Sequence, residues 1–178
     1  FLRVKNLKVS ELVSSEEKVQ IAQLLDEYLD FGGFPEVVIA DSSELKIKNL
    51  ESYFDLTIYK DIVERYKIKD APLVKWFMKS VASCYAKELS VHKIYLTLKS
   101  QGRKVSKDEL YEQSSMIEDS LFVFHLPKYS KSIRKRGSVD KVYLCDNGFI
   151  KLISEDKSSG RKMENVVFLA LLRKNKFR

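Results

Sequence analysis

Few residues in this chain have the type and spacing to do chemistry. Its 178 residues include two histidines, His92 and His125, and two cysteines, Cys84 and Cys145. A histidine working as a general base needs a nucleophile or an orienting carboxylate, and neither histidine has a motif partner near it in sequence. Both are therefore expected in surface or half-buried structural roles. Cys84 falls at apolar helical spacing and reads as a small core residue. Cys145 precedes Asp146 and Asn147, but no histidine and no elbow of small residues accompany it, so a nucleophile there lacks its base. No C-x-x-C and no Cys/His spacing supports zinc. No phosphate loop and no G-x-G-x-x-G is present, and the one double glycine, Gly32-Gly33, lacks a lysine or hydroxyl in register. No catalytic residue, metal or cofactor is expected in this chain.

The positive signal is charge. Lys128, Lys131, Arg134, Lys135, Arg136 and Lys141 stand against one Asp140, a local charge of +5, with Tyr129 interleaved. Such a run tracks phosphates when a hairpin presents it, and serves solubility when nothing covers it. The whole chain carries 32 Lys plus Arg against 25 Asp plus Glu, a net +7. That excess permits a polyanionic partner without requiring one.

The elements that must position these cations follow from periodicity and capping. Ser14 with Glu17 has capping-box spacing, and Val19, Ile21, Leu24, Leu25 and Tyr28 give an apolar face that Phe31-Gly-Gly-Phe-Pro35 ends. After a short run over 36–40, Asp41 and Glu44 open a long helix expected to reach Tyr66, with Asp61 and Arg65 four apart on it. Asp70 and Pro72 start another, with Leu73, Phe77, Val81, Cys84 and Tyr85 buried. Ser90 to Ser100 reads as a short helix closed by Gly102. Ser106 and Glu109 open a further helix to Leu121. Strand-like runs follow over 121–126, 129–133 and 141–145. Asn147-Gly148 is a turn, 149–153 a short apolar stretch, 156–160 a polar loop, and 163–172 a last helix.

The predicted fold class is mainly α with small β: a winged helix-turn-helix core over 71–146, preceded by a helical linker region over 1–70. The helix expected to enter a groove carries Asp108, Glu109, Glu112, Glu118 and Asp119. Those carboxylates repel phosphate and cannot read guanine, so contact is expected from the hairpin, aided by Arg103 and Lys104 in the preceding turn.

Composition agrees with a globular domain able to bury roughly 70% of its extended surface. Hydrophobic residues make up 44% and charged residues 32%, with 6 Gly and 3 Pro. These proportions exclude collagen-like, low-complexity and disordered classes. No apolar run approaches a membrane span, no signal peptide is visible, and two cysteines are no disulfide framework, so a cytoplasmic home is expected. Phe1 in place of a methionine, and a helical run up to the end, predict a piece of a longer protein.

Four segments resemble a known family. Tyr28-Leu-Asp-Phe-Gly-Gly-Phe-Pro-Glu-Val-Val38 is similar to the YL-x-x-GGFPEVV signature of a prokaryotic, largely archaeal, AAA-type P-loop ATPase family. Tyr59 to Tyr66 resembles its Y-[RK]-D-I-x-x-R helix, Lys141 to Gly148 its K-x-Y-x-x-D-x-G strand, and Glu164 to Arg173 its EN-x-V-[FY]-x-x-L-x-R helix. The resemblance implies a parent with an ATPase module using ATP and magnesium, a winged-helix region, and a restriction-endonuclease-like module of which 147–178 is the truncated beginning. It implies structural roles for Gly32, Gly33, Pro35, Asp61, Arg65, Asp146, Glu164 and Asn165, with Asp61 and Arg65 read as a pair that fixes packing and Glu164 as a helix acid without further metal ligands. The expected partners are duplex DNA and the parent's own ATPase module, or, on the rival reading, a protein surface that regulates the ATPase, with no membrane.

Overall fold

The computed structural model describes residues 5, 14–128, 140–153 and 158–176. The first helix, α1 (Ser15–Phe31), starts where a capping box says it should. The Glu17 N–H donates to Ser14 Oγ at 3.2 Å, and the Ser14 N–H donates to Glu17 Oε2 at 2.8 Å. The helix ends at Gly32, whose φ is +75°. Only glycine adopts that backbone at low cost. Pro35 then begins a five-residue helix, α2 (Pro35–Ile39), in a stretch for which sequence predicts no regular structure.

The next helix, α3 (Ser43–Leu56), is capped by Ser42, whose hydroxyl accepts the Leu45 N–H, rather than by the expected Asp41. It does not run on as one α-helix to Tyr66. From Thr57 to Glu64 the backbone widens into a π-helical segment, and Thr57 Oγ1 donates to the Tyr53 carbonyl at the transition. The change of pitch undoes the four-residue spacing that would pair Asp61 with Arg65. Both are exposed, no ion pair joins them, and the Arg65 guanidinium leans over the Tyr66 ring instead, at 5.4 Å.

Helix α4 (Ala71–Ser83), capped by Asp70, leads into the two-residue strand β1 (Lys87–Glu88), which sequence patterning misses because two residues carry no alternation. Helices α5 (Val91–Ser100) and α6 (Lys107–Asp119) follow, capped by Ser90 and Ser106. Strands β2 (Val123–Leu126) and β3 (Lys141–Leu144) pair antiparallel from Val123 opposite Leu144 to Leu126 opposite Lys141. β1 adds to the other edge of β3, giving a three-stranded sheet of order β1-β3-β2. The expected strand over 129–133 lies outside the described residues. The Asn147-Gly148 turn opens α7 (Gly148–Ile153), where only an apolar stretch is expected, and α8 (Ser159–Lys176) outruns the predicted 163–172 at both ends.

One buried cluster draws on 54–62, on 73–123, on 142–144 and on 149–150. Its centre is aromatic: Phe122 lies 5.0 Å from Phe149 and 5.6 Å from Phe54, ring to ring, and Phe77 and Tyr85 are fully buried. Each such ring contributes roughly 1.5–3 kcal/mol of burial free energy. Within this interior Gln113 is 3% exposed, and its Oε1 has no hydrogen-bond partner among the described residues. An orphaned buried acceptor costs about 1–3 kcal/mol. Gln113→Met, close in volume and free of the acceptor, is therefore expected to stabilise the fold by about 1 kcal/mol. The check is a rise in urea midpoint at unchanged slope; a midpoint that falls would show that Gln113 is satisfied in solution.

Candidate functional site

Three of the four segments singled out in the sequence, 28–38, 141–148 and 164–173, meet at one buried polar junction. Asp146 leaves β3 and turns its carboxylate toward the end of α1. Its Oδ2 accepts the Gly33 N–H at 2.8 Å, and its Oδ1 accepts the Gly148 N–H at 2.8 Å. Gly32 is required by proximity as well as by φ: a Cβ there would sit 1.5 Å from Asp146 Oδ1. Gly148 is equally confined, since its Cβ would meet the Phe31 carbonyl at 2.5 Å. Burial pushes the Asp146 carboxyl above the usual carboxylate range, against the downward pull of the two N–H donors and of Arg173.

Two amides complete the junction. Asn165, fully buried on α8, accepts the Leu144 N–H at 2.8 Å through Oδ1 and donates to the Leu144 carbonyl at 3.1 Å through Nδ2. The backbone groups of Val142 and Leu144 face the same edge of β3. β1 covers that edge at Val142 and stops, so the carboxamide of Asn165 continues the ladder where the strand gives out. Asn165 Nδ2 also donates to Asn147 Oδ1 at 2.8 Å, and Asn147 Nδ2 donates to the Lys162 carbonyl at 3.0 Å and to that of Leu29 at 3.4 Å. Asn147 is visible in sequence only as a turn residue. Its joining of the end of β3 to α8 and to α1 depends on contacts 15 to 118 residues apart.

Glu164 is not isolated. Its Oε1 accepts from Lys141 Nζ at 2.6 Å and from the Tyr143 hydroxyl at 2.8 Å, and the Lys141 bond holds its carboxyl below the usual range. Burial and that carboxylate push the Tyr143 hydroxyl up to about 12. The Tyr143 ring in turn stacks on Phe168 at 4.0 Å. Lys141 is thus committed to Glu164, although it stands in the cationic run. Nearby, Arg161 lies over the Tyr85 ring at 4.0 Å and donates to the Ser83 and Tyr85 carbonyls, tying α8 to the turn after α4.

Of the cations expected to meet a polyanion, Arg103 and Lys104 are exposed in the α5–α6 turn, and Lys128 is exposed just past β2. Lys131, Arg134, Lys135 and Arg136 lie outside the described residues. Pro35 is exposed at the first turn of α2. His92 is exposed, with its ring 6.2 Å from that of Tyr95, and His125 is half-buried on β2. Burial pushes the Cys145 thiol up to about 12, so it carries no thiolate near neutrality. Among the described residues no group of three His, Cys, Asp or Glu side chains is placed to hold a metal, and no helix is long and apolar enough to cross a membrane. Chemically, the junction holds elements in place: both Asp146 oxygens and both Asn165 amide groups are engaged by the chain itself.

Comparison with known proteins gives a family and two relatives. A family model described as Domain of unknown function (DUF8612) matches residues 22–159. The uncharacterized protein MJ1544 of Methanocaldococcus jannaschii is 33% identical over 174 residues, covering 98% of this chain and 39% of that protein. An uncharacterized protein of Haemophilus influenzae is 29% identical over 179 residues, covering 98% of this chain and 42% of that protein. The chain thus spans about two fifths of the length of these curated relatives. No solved structure matches it.

Proposed function

The chain belongs to the DUF8612 family, and we propose, from its own topology and charge, that residues 71–146 form a winged-helix module that contacts the backbone of duplex DNA. The contact is made through the connection between β2 and β3. The observation that carries this reading is where the charge falls in the topology. The order α4-β1-α5-α6-β2-β3 with a β1-β3-β2 sheet suits a winged helix, with the connection from Leu126 to Lys141 as its wing. Lys128, Lys131, Arg134, Lys135 and Arg136 all lie in that connection. Arg103 and Lys104 add exposed cations in the turn before α6. Within a longer parent that resembles AAA-type ATPases, the module couples DNA contact to ATP turnover elsewhere in the protein.

A second reading has its own observation. Asp108, Glu109, Glu112 and Glu118 are all exposed on α6, the helix that would enter a major groove. That surface suits a protein partner, and the module then regulates the ATPase by packing on it or on a neighbouring subunit.

Fluorescence anisotropy of a labelled random duplex separates the two. Four cations that each neutralise one phosphate predict a salt slope of about −3.6, roughly a hundredfold loss of affinity between about 50 and 200 mM salt. Replacing Lys131, Arg134, Lys135 and Arg136 together with alanine is expected to abolish micromolar binding. No binding at low salt sinks the DNA reading and leaves the regulatory one.

A further inference from the structure

The β2–β3 hairpin has a second end. Away from the cationic connection, a groove of about 460 Å³ opens between the π-helical segment and the α6–β2 turn. Rings of Phe34, Tyr53, Phe122 and Phe149 line it, with Phe34 stacked on Tyr53 at 4.7 Å and edge-on to Phe149 at 5.5 Å. Three of the four signature segments supply lining residues, although the polar junction accounts for none of these side chains.

Three observations say what the groove accepts. Asp61 is the one charged residue among the described residues lining it, and no hydrogen bond or ion pair engages its carboxylate there. More acid borders it: Glu36 accepts the hydroxyl of the lining Tyr53 at 2.6 Å, and Asp119 precedes the lining Ser120. The rim is apolar and uncovered, with Leu121 61% exposed and Leu56 45% exposed. Leu121 stands just past the C-cap of α6 at φ +60°. Glycine or asparagine is the unstrained choice in that conformation. A large, exposed leucine there serves neither the helix end nor the core.

We propose that this groove docks a basic peptide segment of a partner protein. A lysine or arginine lays its aliphatic stem on the Phe34 and Tyr53 rings and brings its charge to Asp61. A neighbouring apolar side chain of the same segment covers Leu121 and Leu56. Nucleic acid is the wrong occupant, because the carboxylates repel phosphate. The proposal is independent of the DNA reading, since it concerns the opposite end of the hairpin and the opposite charge.

The test is an amide-resolved NMR titration of the 178-residue chain with acetyl-Leu-Arg-Leu-amide and with its citrulline counterpart, at a few millimolar. The arginine peptide is expected to shift the amides of 57–61 and 120–122, and the citrulline peptide to bind about tenfold more weakly. Asp61→Asn should reproduce that loss with the arginine peptide. Leu121→Asn should weaken binding similarly while holding the Tm or raising it by about 1–3 °C, which a merely structural leucine could not do. Equal binding of the two peptides, shifts centred on Asp108 and Glu112, or no localised shift each overturns the proposal.

Discussion

Gly32→Ala is expected to cost about 3–5 kcal/mol, a large part of the stability of a domain this size. The reason is local and geometric. Gly32 sits at φ +75° and ψ −158°. That region is essentially reserved for glycine, so alanine is strained before it meets any neighbour. The added methyl would then lie 1.5 Å from Asp146 Oδ1 and 2.8 Å from the Gly148 nitrogen. The Asp146 carboxylate has to leave, and with it go the only hydrogen bonds described for the Gly33 and Gly148 N–H groups. Orphaned donors cost about 1–3 kcal/mol each. A double-mutant cycle tests the account. In an Asp146→Ala background the carboxylate is gone while the backbone strain and the 2.8 Å approach to the Gly148 nitrogen remain, so Gly32→Ala should cost about 1–3 kcal/mol, less than in the wild-type background. If the two losses add within about 0.5 kcal/mol, the methyl and the carboxylate are not in conflict and the junction is arranged otherwise.

That junction explains which features are legible in the sequence and which are not. Helix starts at Ser14, Asp70, Ser90 and Ser106 can be read directly, because a cap is a local interaction between residues three apart. The paired glycines read as a turn for the same reason. Their partner does not, since Gly33 and Asp146 are 113 residues apart and nothing in either segment names the other. The π-helical segment is equally hidden. Its residues have the apolar spacing of a helix, with Ile58 and Ile62 buried, and the sequence TIYKDIVE holds no glycine or proline to mark the change of pitch. Asp61 and Arg65 illustrate the consequence: correct spacing for an ion pair on an α-helix, and no pair on this one. β1 escapes sequence reading because two residues cannot show a period. The Asn147-Gly148 turn is visible as a turn, yet its amide's part in joining three elements is tertiary information.

The junction also constrains any functional account. It fastens α1, β3, α7 and α8 through main-chain groups, so the signature residues within it set the relative placement of elements. Two of the proposed partner surfaces lie at the two ends of the β2–β3 hairpin: the connection bearing Lys128 and Arg134, and the groove beside Asp61. A defect in the junction should therefore weaken both surfaces together, in proportion to the folded fraction, whereas substitutions on one surface should spare the other.

Asn165→Ala is the second large effect, expected at about 3–4 kcal/mol. The side chain is fully buried and makes three hydrogen bonds, two to Leu144 and one to Asn147. Its removal leaves the Leu144 N–H and carbonyl facing a cavity on an edge of β3 that β1 does not reach. Asn165→Asp separates the hydrogen-bond argument from the volume argument, because it keeps the shape and the acceptor for the Leu144 N–H. In place of Nδ2 it presents an oxygen to two acceptors, the Leu144 carbonyl and Asn147 Oδ1. The ionised form is then penalised by burial and by both oxygens, and its pKa in the folded chain rises. With a folded pKa above the unfolded one, stability is greatest in acid, where the protonated carboxyl can donate as the amide did, and is lost as pH rises through the raised value. Urea unfolding of wild type, Asn165→Ala and Asn165→Asp at about pH 4.5 and about pH 7.5 reads this directly. The deficit of the aspartate variant relative to wild type should widen with pH, while that of the alanine variant stays constant. An aspartate variant with the same deficit at both pH values would mean that Nδ2 is not the donor the edge of β3 depends on.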